Sequence, residues 1–550
     1  MEHSCLHSNW ISLLFFHGIL LLFMSSSLES ARILAFADES DRLALLDFKN
    51  QISKDPLQIM SLWNDSTHFC KWFGVTCSHS ARKRVVVLNL EAQSLAGSIT
   101  PSIGNLSYLT GIILGNNNIY GEIPQEVGSL RRLQHLNLSF NSLGGNLPSN
   151  LSHCTQLRVL YVGANELAGQ IPEQFSSLSN LAFMDLGVNQ LTGSIPAWIG
   201  NFSSLALISI ARNNLHGSIP SELGRLSGLK FFQLGANNLS GTIPPLIYNI
   251  SSIYYFAVAQ NQLHGSLPPD VGLTLPNLEI FLLGRNSFIG HIPVSLSNAY
   301  KLQLIDFSEN GLIGMVPQNL ASLHHLVKLN FYYNRLGNEK VGNLNFLDFF
   351  ANCTNLKFLG LAYNRFGGVL PNSIANLSSQ LNFLSVSENM IHGSISAGIG
   401  NLVNLNLLGL EGNYLGGPLP DAIGKLQQLQ ILYLENNKLS GPIPSSIDCL
   451  SVVLKGSVGY IPPEDEEAAG DHDTNNDGIE ESTIIEEVDR HFNAESKVED
   501  YLVSVLQIGL LCSATSPHER MPTNDVVSKL IGIRDAFLKF KKGNRRTRMS

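Results

Sequence analysis

The sequence predicts an α/β solenoid, a curved stack of about fifteen short repeats in which each repeat packs only on its neighbours. The first observation is the phrase LNLSFNSLGGNLP, residues 136–148, which recurs with substitutions along most of the chain. The second is its central asparagine, which returns after 24 residues in most steps. The third is an alternating apolar pair at the start of each copy. The asparagines are Asn117, Asn141, Asn165, Asn189, Asn213, Asn237, Asn261, Asn286, Asn310, Asn334, Asn364, Asn389, Asn413 and Asn437, with Gln93 in an earlier, imperfect copy.

Each part of the repeat has a physical reason. The apolar pair, such as Leu136 and Leu138, predicts a short strand with one buried face. The asparagine ends the strand, and its side chain can bond backbone groups of neighbouring turns. The glycine four residues later permits close backbone approach, and the Ile-Pro that follows predicts an extended segment. A single copy would leave its leucines exposed, so the repeats must stack.

The pattern L-x-x-N-x-L-x-G-x-I-P resembles the plant type of leucine-rich repeat, which we assign to residues 85–450. The preceding residues 38–84 resemble the N-terminal cap of the same family, through DRLALLDFKNQI and LWNDSTHFCKWFGVTC. The resemblance implies that Trp63 and Trp72 pack over the first repeat and cover its apolar edge.

One repeat is longer than the others. Asn334 and Asn364 stand 30 residues apart, and the added residues predict an extra helical turn on the convex side. The long repeat also resembles one found midway in plant receptor-like kinases of the class that includes bacterial-pattern receptors.

Few of the seven cysteines are placed to form a disulfide bond. Cys70 and Cys77 are the only close pair, which predicts a disulfide in an oxidising compartment, and the cap resemblance implies the same staple. Cys154 and Cys353 stand in the matching phrases LSHCTQL and LANCTNL of two repeats. Matching positions on separate repeats indicate small buried apolar residues rather than a bridge.

The N-terminus predicts entry into the secretory pathway. An apolar run from Trp10 to Met24 is followed by Ala35-Phe36-Ala37, so residues 1–37 read as a cleaved signal peptide. No Lys or Arg precedes the run, so an uncleaved anchor is the alternative. We expect an extracellular, apoplastic protein, or a plasma-membrane protein if the segment stays attached. The sequence has no apolar run after the repeats that is long enough to span a bilayer.

The composition excludes some partners. The net charge is −9 and the pI is near 6.0, which argues against a nucleic-acid partner. No residues have metal-ligand spacing, and we expect neither a metal nor a cofactor.

The predicted ligand surface is the concave face, made by the side chains that lie between the buried leucines before each repeat asparagine. Fifteen strands at about 4.8 Å each give a face roughly 70 Å long. Aromatic residues mixed with isolated charges are typical of binding hot spots, and a solvated sheet face with incidental aromatics is the alternative. The candidate ligand-binding residues are Tyr161, Phe183, Asp185, Arg212, Phe231, Gln233, Tyr255, Arg285, Asp306, Lys328 and Tyr332, and the same column continues through Tyr333, Phe358 and Tyr363.

The sequence also contains many N-glycosylation motifs. Most lie outside the strand positions, whereas Asn137 falls on the concave face. The candidate glycosylation sites are Asn64, Asn105, Asn137, Asn150, Asn201, Asn238, Asn249, Asn352 and Asn376.

The repeat pattern ends at Leu450. In the remaining residues 451–550, GSVGYIPPE resembles the end of a protein-kinase activation segment, and YLVSVLQIGLLCSATSPHERMP resembles helices of a kinase C-lobe. The resemblance implies an ion pair between Glu464 and Arg520. The sequence contains no G-x-G-x-x-G loop, V-A-I-K lysine, H-R-D aspartate or D-F-G, so we expect a kinase remnant with no catalytic residues.

The composition of the tail predicts little stable structure. Residues 464–500 are acidic and poor in aromatic residues, which predicts disorder. Residues 498–511 and 524–540 have helical periodicity but lack the core they would pack on.

These features together predict an extracellular recognition protein of the plant leucine-rich-repeat receptor-like serine/threonine kinase family, truncated and without kinase activity. It would bind a peptide or protein along its concave face. The resemblance implies a role in defence or developmental signalling, alongside a co-receptor kinase with its own repeats. One alternative is a secreted inhibitor of cell-wall hydrolases. Another is a receptor kinase, if the gene model is incomplete.

Overall fold

The structure is a computed structural model that describes residues 39–79, 83–338, 344–450 and 453–455. These residues all fall in one compact unit of the chain. The predicted signal segment, the acidic stretch and the kinase-like tail lie outside the described residues.

The main sheet runs the length of the array. It begins with one antiparallel pair, Val75–Cys77 against Val85–Asn89, and every later strand pairs in parallel with the strand of the next repeat. This ladder of repeats confirms the predicted α/β solenoid. The later strands are Gly111–Ile113, His135–Asn137, Val159–Tyr161, Phe183–Asp185, Leu207–Ser209, Phe231–Gln233, Tyr255–Ala257, Ile280–Leu282, Leu304–Asp306, Lys328–Asn330, Phe358–Gly360, Phe383–Ser385, Leu407–Gly409, Ile431–Tyr433 and Val453–Lys455.

The repeat asparagines form the predicted ladder of side-chain hydrogen bonds. Asn213 is typical: its Nδ2 donates to the carbonyls of Leu186, Ile210 and Ala211 at 3.1, 3.1 and 3.2 Å. Its Oδ1 accepts from the backbone N–H of Leu191 at 2.9 Å. One side chain therefore satisfies four backbone groups, two in its own turn and two in the preceding repeat. The core can stay apolar around it.

A second, interrupted sheet follows the asparagines, and the sequence analysis did not anticipate it. The residues between each asparagine and the Ile-Pro that follows it pair in parallel with the next repeat, and the cap strand Ile52–Lys54 adds to its edge. Its other strands are Ala96–Gly97, Asn118–Glu122, Ser142–Gly144, Ala168–Gln170, Gln190–Thr192, His216–Ser218, Asn238–Thr242, Gln262–Ser266, Ser287–His291, Gly311–Gly314, Arg335–Leu336, Gly367–Val369, Met390–Gly393, Tyr414–Gly417 and Lys438–Leu439.

A short helical turn completes most repeats on the convex side. Proline precedes many of these turns and holds the extended conformation that a helix start requires. The only described α-helices are residues 39–51 and Val271–Thr274. The 3₁₀-helices are Ile59–Leu62, Phe69–Lys71, Pro101–Asn105, Gln125–Ser129, Ser149–His153, Glu173–Ser177, Ala197–Asn201, Ser221–Arg225, Pro245–Asn249, Val294–Asn298, Gln318–Ser322, Asn345–Asp348, Phe350–Asn352, Asn372–Asn376, Ala397–Asn401, Asp421–Lys425 and Ser445–Cys449.

The N-terminal cap covers the first repeat with aromatic residues and one buried ion pair. Trp63 and Trp72 are buried and stack with ring centroids 5.3 Å apart. The fully buried Asp41 accepts from the Arg84 guanidinium and from the Val85 N–H at 2.9 Å, which fastens the cap to the first long strand. Elsewhere in the cap, Cys70 and Cys77 are joined in a disulfide.

The long repeat contains the extra helical turn. Asn345–Asp348 and Phe350–Asn352 follow one another, and they bury Phe346 and Phe350 against the core. The main-sheet register continues across the insertion, because Lys328–Asn330 pairs directly with Phe358–Gly360. Away from this insertion, Cys154 and Cys353 are free and buried in their repeats, as their matching phrases indicated.

We predict that the asparagine ladder is a major source of stability. Asn213→Ala would remove the acceptor of the Leu191 N–H and one of the two donors to each of three carbonyls, so the free energy of unfolding should fall by about 2–4 kcal/mol. Asn214→Ala is the matched control, because Asn214 is the exposed neighbour. Urea unfolding of both variants measures the difference, and equal midpoints would contradict the prediction.

We also predict that the cap depends on its disulfide. Cys70→Ser should lower the free energy of unfolding of the N-terminal repeats by about 2–4 kcal/mol, the usual scale for such a cross-link. Thermal melts with and without reductant give the measurement. If reductant leaves the melt of the parent protein unchanged, the bridge contributes nothing.

Candidate ligand-binding face

The concave face is built by three columns of side chains on the main sheet, two, four and six residues before each repeat asparagine. Strand alternation turns these positions away from the core, while the leucines between them point inward. In the Asn189 repeat, for example, Phe183 and Asp185 are half-buried on this face while Met184 is buried in the core. Because the asparagine ladder fixes every turn, each column stays in register along the array.

The structure places most of the predicted ligand residues on strands of this face. Arg212 and Arg285 are exceptions: they stand one residue before their asparagine, in left-handed backbone with φ near 55°, and lie beyond the strand end. Tyr332 also follows its strand, by two residues. On the strands themselves stand Tyr161, Phe183, Asp185, Phe231, Gln233, Tyr255, Asp306 and Lys328.

Several of these side chains are buried, which differs from the alternative of a solvated face. Tyr161, Phe231 and Tyr255 are at most 7% exposed, and the rings of Phe231 and Tyr255 stack at 4.1 Å. Burial, then the nearby Asp185, raises the pKa of Tyr161. The Tyr161 hydroxyl and Gln233 Oε1 are buried and have no hydrogen-bond partner among the described residues.

A polar network occupies the middle of the face. The carboxylate of Asp306 is 3.5 Å from Lys328 Nζ and accepts from Asn330 Nδ2 at 3.0 Å. Asp306 also accepts from the Ser308 hydroxyl at 2.6 Å. Lys328 Nζ lies 5.0 Å from the ring centre of Phe358, a cation–π contact. The two predicted charges, Asp306 and Lys328, are therefore engaged with each other rather than presented singly to a ligand.

Tyrosines gather next to this network. Tyr332, Tyr333 and Tyr363 contact one another, with ring centroids 5.3 to 5.9 Å apart. Burial, then Tyr363 and Glu309, raises the pKa of Tyr332. Arg285 bonds Glu309 Oε1 at 2.8 Å on the same side.

The sequence analysis stopped its column at Tyr363 and missed the polar residues beyond it. Glu411 stands two residues before Asn413 and is only 4% exposed. Its Oε2 has no hydrogen-bond partner among the described residues. Burial raises the pKa of Glu411 to about 7, partly offset by a hydrogen bond from Ser387. Counting back from Asn413 as from the earlier asparagines would have found it.

The candidate glycosylation sites fall into two groups according to where they lie in the fold. Asn137 is half-buried within a strand of the face, and its Nδ2 donates to Glu91 Oε1 at 3.3 Å. The other eight asparagines are exposed. Five of those eight end a convex-side 3₁₀-helix, namely Asn105, Asn201, Asn249, Asn352 and Asn376.

Two features are absent from the part of the chain that the structure describes. No helix there has the length and apolar character needed to cross a bilayer. No group of three His, Cys, Asp or Glu side chains there is arranged to hold a metal ion.

Known protein families match both parts of the described fold. Residues 38–78 match the leucine rich repeat N-terminal domain. Residues 132–154, 355–377 and 428–450 match the leucine rich repeat.

Among curated relatives, the chain is similar to plant receptor kinases. It is 61% identical over 393 residues to the LRR receptor-like serine/threonine-protein kinase EFR of Arabidopsis thaliana. It is 58% identical over 380 residues to the putative receptor-like protein kinase At3g47110 of the same species. The matches cover 71% and 69% of this chain, but only 38% and 37% of those relatives.

Solved structures of receptors also have a similar fold. A TDR receptor superimposes with a TM-score of 0.59 at 30% identity, and the match covers 68% of each chain. The plant peptide hormone receptor RGFR1, solved in complex with RGF2, has a TM-score of 0.53 at 28% identity, with 70% of this chain and 71% of that chain covered.

We predict that Glu411 makes stability depend on pH. A carboxyl whose folded pKa lies near 7, above its ordinary 4.5, loses stability as pH rises from about 4.5 through 7, because ionisation is easier in the unfolded chain. Glu411→Gln should therefore raise the free energy of unfolding by about 1–3 kcal/mol at pH 8. The two proteins should converge at pH 4.5. Urea unfolding at both pH values tests this, and a pH-independent difference would contradict it.

Proposed function

The chain belongs to the leucine-rich-repeat receptors of plants, and from that premise we propose that its repeat array is an extracellular domain that binds a peptide along the concave face. The array then acts in recognition, in defence or developmental signalling. A co-receptor kinase with its own repeats is the proposed signalling partner. The secretory pathway is the proposed route to the apoplast or the plasma membrane.

The observation that carries this proposal is a set of buried polar atoms on the concave face. Tyr161 Oη, Gln233 Oε1 and Glu411 Oε2 have no hydrogen-bond partner among the described residues, whereas buried polar groups normally have one. The atoms lie along one face of one sheet, in different repeats. An extended peptide can supply an acceptor to the tyrosine and donors to the other two from its main chain and side chains.

The relatives support the same choice of ligand. RGFR1 was solved with RGF2 and is described as a peptide hormone receptor, and its fold matches over most of both chains. The curated relatives are receptor kinases of which this chain spans less than two fifths. We propose that this chain recognises ligand without transferring phosphate, because its own sequence lacks the groups that hold ATP and Mg²⁺.

A random peptide display library panned against the secreted full-length chain tests the proposal. Selected peptides should lose about tenfold or more in affinity on Tyr161→Phe, which removes the hydroxyl and keeps the ring. Tyr120→Phe is the matched control, because Tyr120 is exposed on the second sheet. Recovery of no peptide, together with inhibition of a cell-wall hydrolase, would favour the inhibitor alternative. Binding of ATP with Mg²⁺ would overturn the non-enzyme assignment.

We also predict glycosylation of the secreted chain. Endoglycosidase should lower its apparent mass on a gel, because exposed N-x-S/T sites are modified in the secretory pathway. Asn249→Gln should remove one glycan, because Asn249 is exposed at the end of a convex-side turn. Asn137→Gln should leave the mass unchanged, because Asn137 lies half-buried in a strand. A band that endoglycosidase does not shift would place the protein outside that pathway.

A further inference from the structure

A run of small residues crosses the concave face in the last third of the array. In the column four residues before each asparagine, Asn330 pairs with Gly360, Gly360 with Ser385, Ser385 with Gly409 and Gly409 with Tyr433. Three small residues therefore separate two larger ones over four strand steps, about 19 Å. We call this run of small residues the trough.

Aromatic rings line one long side of the trough. Phe358 and Phe383 stand two residues before Gly360 and Ser385 on the same face, and they stack with centroids 4.0 Å apart and planes 9° apart. Both rings are half-buried. They offer an apolar surface along the edge of the floor.

The neighbouring column has small residues between a phenol and a carboxylate. Two residues before the asparagines stand Tyr332, Ala362, Ser387 and Glu411, in that order along the array. Ser387, the preceding residue of the same column, donates a hydrogen bond to the Glu411 carboxylate. The charge of Glu411, three repeats away, also contributes to the raised pKa of Tyr332.

The Glu411 end of the trough is acidic. The nearby carboxylates of Glu435 and Glu388 both contribute to the raised pKa of Glu411. A Cβ at Gly412 would collide with the Glu388 carboxylate, so that carboxylate leans over the glycine beside Glu411. Lys328, in the column of Phe358 and Phe383, is held at the other end by Asp306 and the Phe358 ring.

We propose that this trough is a specificity subsite that takes an arginine side chain of the ligand, with the guanidinium on Glu411 and the stem along the Phe358 and Phe383 rings. The inference rests on the proposed peptide-binding function and names the residue class that the site selects. Glu411 Oε2 is a buried acceptor with no partner among the described residues, and a guanidinium is a planar, permanently charged donor. The Phe358 and Phe383 pair adds apolar contact along the stem, and a guanidinium packs on aromatic rings better than an ammonium group does.

Peptides selected on the full-length chain test the subsite. Selected sequences should be enriched in arginine, and replacing that arginine by the neutral isostere citrulline should lower affinity about tenfold or more. Glu411→Gln should lower the affinity of the arginine peptide by a similar factor. On the Glu411→Gln variant, replacing arginine by citrulline should lower the affinity little further, because both changes remove the same contact. Lysine in place of arginine should be weaker than arginine on the parent chain.

Controls separate this subsite from the wider proposal. Glu166→Gln, an exposed carboxylate beside the Asn165 turn, should leave arginine discrimination intact. Tyr332→Leu, which opens the far end of the trough, should weaken arginine peptides severalfold. Peptides that bind without arginine enrichment, or whose arginine dependence survives Glu411→Gln, would overturn the subsite and leave peptide binding standing. Recovery of no peptide would overturn both.

Discussion

One asparagine side chain per repeat holds the array together. Its amide bonds carbonyls of its own turn and of the preceding repeat, and its oxygen accepts a backbone N–H from that repeat. No apolar side chain could satisfy these groups, and unpaired they would destabilise the core. Because every turn has the same bonds, every strand leaves its turn in the same direction. The columns of the concave face, and hence the trough, follow from that repetition.

The columns differ in what they carry, and those differences make the face specific. Where the column four residues before the asparagine has Tyr161, Asp185 and Gln233, the face has hydrogen-bonding groups. Where it changes to Gly360, Ser385 and Gly409, small residues lie beside the stacked rings of Phe358 and Phe383. A solenoid makes such features by substitution at one register position, since the backbone does not change. Charged, aromatic and small residues can therefore be placed independently of one another along the repeat array.

The sequence predicted the repeats, the asparagine bonds, the cap tryptophans and the extra turn of the long repeat, because each rests on local chemistry repeated many times. It did not predict the second sheet, since pairing of the segments after the asparagines depends on how closely adjacent turns stack. It also treated the concave residues as equivalent. Counting could not show that Asp306 and Lys328 engage each other, or that Tyr161 and Glu411 are buried, because both facts depend on neighbours in other repeats.

The long repeat has a consequence for how such proteins change over evolutionary time. It has 30 residues where most repeats have 24, yet its strand pairs with the preceding one in the ordinary register. The additional residues are taken up by helical turns such as Asn345–Asp348, away from the concave face. Insertions and deletions in the convex connections can therefore accumulate in a lineage without moving the ligand-contacting columns. Length variation and binding specificity can be inherited as separate traits of the same gene.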